Sequence, residues 1–308
     1  MAAKNNEQGT NNLRDCITKI RYLEINREEQ HLGALLFSFL IDQENRKSFI
    51  QLVREKEPNI DSCFDEAETE VYFEFAMPRD IWKRMEGHQK HAYICNFLNS
   101  GKKLPHIKDL RDLPQDDRET FNREFNSKFK EKPSKEHIES PGNWNLVKLV
   151  EYFSKRPQKE LRRAAMLKWA FNAKPDIVLI NGESVLSLEL KFESDFSSYP
   201  ASGQECKNWD ESIEWENEFK TAKNGKHRIR QLELQRFLLE EVLGYKHVRQ
   251  LVVKNQTSRQ PRFSEYPHGS QQKPYQFVNW QDIKSIVDRN GFFYQFMDEN
   301  LILNPRAR

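Results

Sequence analysis

Two β-rich runs separated by a glycine turn constrain this chain more than any other feature: DIVLI at 176–180 and SVLSLELKF at 184–192, joined through Asn181-Gly182-Glu183. Asn and Gly both tolerate the positive φ of a two-residue hairpin turn, so the segment reads as an antiparallel hairpin. With Asn181 and Gly182 as the turn, Ile180 faces Glu183, Val178 faces Val185 and Asp176 faces Ser187. Side chains alternate along a strand, and cross-strand partners share a face of the sheet. One face therefore collects Asp176, Ser187, Glu189 and Lys191, with Asp176 and Glu189 as diagonal neighbours. The other collects Ile177, Leu179, Leu186, Leu188, Leu190 and Phe192, a surface that has to be buried. A four-residue loop would keep this parity and set Asp176 directly opposite Glu189, whereas a three-residue loop would reverse it.

The rest of the chain supplies mostly helices. Asn26 is an N-cap candidate, followed by Glu28 and Glu29 in a first turn; Leu32, Leu35, Leu36, Phe39 and Leu40 then recur at helical spacing. A second helix is expected over about 43–55, ahead of Pro58, and EVYFEFA at 70–76 alternates as an exposed edge strand would. Residues 57–143 read as a charged helical insertion, with Pro105, Pro114, Pro133 and Pro141 marking its least core-like part. Helical patterns return at 144–153, 158–170 and 226–243, the last stopped by Gly244, and a capped helix is expected over 279–290. HVRQLVV at 247–253 is a further strand. This mixture specifies an α/β fold with a central mixed β-sheet flanked by helices, a single domain over 13–308 behind a disordered polar stretch at 1–12.

Composition narrows the environment. Hydrophobic residues are only 37%, but 21 Phe and 6 Trp still supply enough apolar area for a core. Cys16, Cys63, Cys95 and Cys206 lie far apart with no Cys-x-x-Cys pair, which argues against a zinc ribbon or a disulfide scaffold. No apolar run approaches membrane-spanning length and the N-terminus lacks a signal-peptide core, so a soluble, cytoplasmic protein without membrane partners is expected. A net charge of +2 rules out a uniformly basic nucleic-acid coat. Local basic clusters at 155–168, 223–230 and 246–262 could still line a phosphate-tracking groove around the hairpin, or be ordinary solvated faces. The acidic segment 205–218, ECKNWDESIEWENE, reads as an exposed loop-helix in preference to a shield over the site, a nucleic-acid mimic or a partner contact.

The polar hairpin face carries the chemistry. Two carboxylates are hard ligands for Mg2+, which binds phosphate oxygens and acidifies water. A lysine on the same face can hold the attacking water or stabilise developing negative charge. No phosphate-binding loop, dinucleotide fingerprint, nucleophile elbow or His-x-x-x-His offers a competing chemistry.

The run KPDIVLINGESVLSLELKF, with Pro175-Asp176 followed by Glu189-Leu190-Lys191, resembles the signature of the PD-(D/E)XK, or restriction-endonuclease-like, nucleases. The resemblance implies a restriction-endonuclease-like core with helical insertions. It also implies Asp176 and Glu189 as ligands of Mg2+, for which Mn2+ can substitute, and Lys191 as assistant to the nucleophile. Many members add an acid from an N-terminal helix, for which Glu28 is the candidate and Glu29 the next. Some carry a Gln on the helix after the lysine strand, which Gln231 in RQLELQRFLL resembles, although residues 193–225 intervene. By analogy the expected activity is cleavage of DNA in prokaryotic restriction or anti-phage defence, with a homodimer or a partner protein as options. RNA cleavage, or a non-catalytic nucleic-acid-binding or structural module, is the alternative.

Overall fold

The computed structural model describes residues 28–56, 60, 64, 66–100, 138–153, 158–191, 198–199, 229–254 and 276–302. Its centre is a five-stranded mixed sheet in the order β1-β2-β3-β6-β7. These strands are β1 (Glu70–Phe73), β2 (Ile177–Asn181), β3 (Ser184–Lys191), β6 (His247–Lys254) and β7 (Gln276–Asn279). β1, β2 and β3 form an antiparallel meander, while β6 and β7 run parallel to β3. β4 (Ser198–Tyr199) and β5 (Ile229–Arg230) pair separately, antiparallel. β1 lies at an edge, as the alternation of EVYFEFA predicts.

Helices cover both faces of the sheet. On one side α1 (Glu28–Ile41) and α2 (Gln43–Lys56) join α8 (Trp280–Ile286) and α9 (Phe292–Ile302). Leu32, Leu36, Phe49, Trp280 and Met297 pack there against Ile177, Leu179, Leu186, Leu188 and Leu190, the apolar set read from the hairpin; Phe192 lies outside the described residues. Gly33 permits the close crossing of α1 over β3, because a Cβ there would lie 2.9 Å from Leu190 Cδ1. The junction between α1 and α2 is tied by Arg46, whose guanidinium donates to the carbonyls of Leu40 (3.0 Å), Ile41 (3.2 Å), Phe64 (3.1 Å) and Glu66 (2.8 Å). It thus satisfies the last carbonyls of α1 while fixing the approach to β1.

On the other side lie α3 (Met77–Arg84), α4 (Gly87–Ser100), α5 (Leu146–Phe153), α6 (Gln158–Ala170) and α7 (Gln231–Phe237), the last continuing as a π-turn over Leu238–Val242. The described part of 57–143 thus includes the edge strand and two packed helices, with Trp82, Tyr93, Ile94 and Phe97 in the core. Val178, Ile180 and Val185 are buried against Phe75, Leu239 and Val248, so the hairpin is covered on both faces and not on one alone. The parallel crossover from β3 to β6 requires a helix over the sheet, and α7 takes that role.

The hairpin turn differs from the expected one by a residue. Gly182-Glu183 is the turn and Asn181 pairs with Ser184. Gly182 has φ +55°, and Glu74 is the one non-glycine residue with positive φ among the described residues, so only the first turn position is left-handed. That is the pattern of a type II′ rather than a type I′ turn. Asn181 stays in the strand because its side-chain amide is engaged, donating to Thr69 Oγ1 at 3.2 Å and Glu66 Oε2 at 3.3 Å. The helix expected over 226–243 begins only at Gln231, since Ile229 and Arg230 are extended against β4. Gly244 does end it, with φ +79°. The helix expected over 279–290 stops at Ile286, with the Asn279–Asp282 capping box at its start.

Candidate active site at the carboxyl end of strand β3

Ile177 pairs with Leu188, so Asp176, one residue before it, is level with Glu189. The parity of the sequence reading survives the shifted turn: Asp176 is the bend residue just before β2, and the register extended by one residue runs to Glu189 directly instead of diagonally. Directly opposed residues place their Cβ atoms about 5 Å apart. The Asp176 carboxylate is fixed by the backbone of β3, with Oδ2 accepting from the Leu190 N–H at 2.7 Å.

Glu189 is 1% exposed and heavily engaged. Its Oε1 stands 2.7 Å from Lys191 Nζ and accepts from Gln231 Nε2 at 2.6 Å. Its Oε2 accepts from Gln235 Nε2, also at 2.6 Å. Lys191 supplies the only positive charge among these donors; the two amides orient the carboxylate without neutralising it. Gln231 and Gln235 lie one turn apart on α7, the i,i+4 spacing that puts two side chains on one helix face. α7 is itself held to the sheet by Gln250 of β6, which donates to the Leu232 carbonyl at 2.9 Å. The intervening 193–225 therefore does not separate Gln231 from Glu189, because β5 returns the chain beside the site immediately before α7.

Lys254 and Gln235 are additions that the sequence reading missed. Lys254 closes β6 and is the in-register partner of Lys191 on β3, hence on the same face. It is buried, its Nζ lies 4.6 Å from the centroid of the Phe277 ring, and burial lowers its pKa from the ordinary lysine value. The available signals were an apolar strand ending on lysine, as β3 does, and the Gln-Leu-Glu-Leu-Gln spacing. Glu28 is the first residue of α1, but its side chain and that of Glu29 lie outside the described residues. Residues 1–12, the acidic segment 205–218, and residues 155–157, 223–228 and 255–262 of the basic clusters also lie outside them.

Among the described residues no group of three or more His, Cys, Asp or Glu could hold a metal ion. Asp176 and Glu189 form a two-carboxylate donor set, which suits Mg2+, an ion commonly held by one or two carboxylates with waters and substrate phosphate completing its shell. No helix among the described residues is long and apolar enough to cross a membrane. No family model matches this chain, and no curated protein or solved structure matches it significantly.

Proposed function

We propose that this chain is a Mg2+-dependent nuclease with a restriction-endonuclease-like core, hydrolysing phosphodiester bonds in DNA. The observation that carries this reading is the gathering of Asp176, Glu189, Lys191 and Gln231 at one end of the β2–β3 hairpin. The antiparallel meander leading through a helix to a strand parallel with β3 supports it as well. Asp176 and Glu189 would hold the ion, Mg2+ or Mn2+, with Glu28 as a further candidate ligand. When bound, such an ion acidifies water and neutralises charge on the phosphate.

The chain's own residues have separate roles. Gln231 and Gln235 fix the Glu189 rotamer so that its oxygens stay in place for a cation. Lys191, held 2.7 Å from Glu189, orients the attacking water or stabilises the negative charge that grows on the phosphoryl oxygens. The helices covering both faces of the sheet bury Glu189 and Lys191, which strengthens the electrostatic contact between them. Restriction or anti-phage defence, in a prokaryotic cytoplasm, is the role that the superfamily resemblance suggests.

A structural reading has one specific observation in its favour: both Glu189 oxygens already have protein partners, as in an internal ion-pair network. Cleavage assays separate the two. Labelled DNA and RNA are incubated with the full chain in Mg2+, Mn2+ or EDTA, alongside Asp176→Ala, Glu189→Gln and Lys191→Ala. Metal-dependent cleavage that falls about 100-fold or more in each variant is expected. Cleavage that survives these substitutions defeats the site assignment, and cleavage confined to RNA corrects the substrate.

A further inference from the structure

Strands β3 and β6 both end on a lysine after an apolar run, and the two lysines are register partners across the parallel pair. Neighbouring strands stand about 4.8 Å apart, so two buried ammonium stems rise side by side from one face. Their surroundings are unequal. Lys191 is balanced by Glu189. Lys254 is 7% exposed and rests on the face of the Phe277 ring, with no carboxylate in ion-pair range among the described residues. An aromatic face returns only part of what an ammonium loses on leaving water. A second lysine at this depth therefore weakens the fold unless an anion completes it.

We infer that Lys254 is an anion-binding residue that takes a non-bridging oxygen of a nucleic-acid backbone phosphate beside the Asp176–Glu189–Lys191 group. The inference rests on the nuclease reading. Lysine suits this task because its ammonium is a point charge that meets any phosphate oxygen without demanding a planar fork. The Phe277 ring face supports the ammonium itself, 4.6 Å from Nζ to the ring centroid, without bringing a competing carboxylate to it. The contact carries no base information, so it supplies affinity and register without sequence preference.

The test uses full-length wild type, Lys254→Met and Lys254→Arg. Fluorescence anisotropy with labelled DNA and RNA oligonucleotides in EDTA gives affinity across a salt series. Lys254→Met, which keeps volume and removes charge, should weaken binding about tenfold for every sequence and lower the slope of log affinity against log salt by about one. Lys254→Arg should retain most of the affinity. In thermal melts Lys254→Met should match or exceed wild type, by roughly 2–4 °C, because a lone buried charge has been removed. Unchanged affinity and salt slope in Lys254→Met overturns the inference. So does a lower Tm in Lys254→Met, the mark of a structural lysine. Mg2+ cleavage by wild type and Glu189→Gln, measured separately, judges the nuclease reading. Binding loss in Lys254→Met without any wild-type cleavage would keep the phosphate contact and remove the nuclease.

Discussion

Arg46 and Lys254 are both buried cations without a carboxylate partner among the described residues, 3% and 7% exposed, yet they sit in opposite kinds of surroundings. The Arg46 guanidinium donates to the carbonyls of Leu40, Ile41, Phe64 and Glu66, so its donors are spread over the end of α1 and the approach to β1. Lys254 rests on one aromatic face. A cation surrounded by main-chain acceptors has nothing left to offer a ligand. A cation resting on one aromatic face beside a second lysine, with no carboxylate in ion-pair range among the described residues, is the group on which the phosphate proposal draws. The comparison sets a corner whose cation is fully used by the fold against one whose cation the phosphate proposal would use.

The strongest way to break this comparison is at Arg46. Arg46→Met should lower unfolding free energy by about 3 kcal/mol in urea titrations, since several buried carbonyls lose a charged donor. Its activity per folded molecule should stay unchanged; a specific loss of cleavage at full stability would place the functional boundary elsewhere. Glu189→Gln comes next. It should reduce metal-dependent cleavage about 100-fold, near 2.7 kcal/mol of transition-state stabilisation, as initial rates would show. Retained cleavage would leave the β3 end structural, like the Arg46 corner.

Gln235→Leu is a subtler probe. Its Oε1 is buried without a hydrogen-bond partner, so losing that group offsets part of the lost bond to Glu189. Turnover should fall about tenfold while nucleic-acid affinity and Tm hold, because a positioning residue acts through Glu189. A matching loss of Tm would make Gln235 a packing residue. Gly33→Ala has the smallest expected effect. The new Cβ meets Leu190 Cδ1 at 2.9 Å and Phe73 Cε2 at 3.2 Å, so about 1 kcal/mol should be lost by denaturant titration. Cleavage should be spared, because Leu190 points to the face opposite Glu189.

Much of the fold was legible because its signals are local. Alternation along 176–191 fixed which side chains share a face, and the positions of Asp176, Glu189 and Lys191 followed even though the turn moved by one residue. That move depended on Asn181 reaching Thr69 and Glu66, contacts more than 100 residues away in sequence. The edge position of β1, the helices at 146–153 and 158–170, and the Gly244 stop also came from periodicity and breaker residues. The late start at Gln231 of the helix expected from 226 did not, because pairing of Ile229 and Arg230 with β4 overrode helical propensity.

The sequence by itself determined the hairpin, its polar and apolar faces, and the acid, acid and lysine set that any reading of this protein must explain. Period-two alternation is a property of each strand, and no distant contact can change it without slipping the register. Only the tertiary structure decided that the polar face would be buried, that Gln235 would join Gln231 on Glu189, and that Lys254 would stand beside Lys191. Those outcomes depend on the parallel pairing of β3 with β6 and the docking of α7 over it. Which strands become neighbours in a sheet is settled by the packing of the whole core, and no segment carries that information alone.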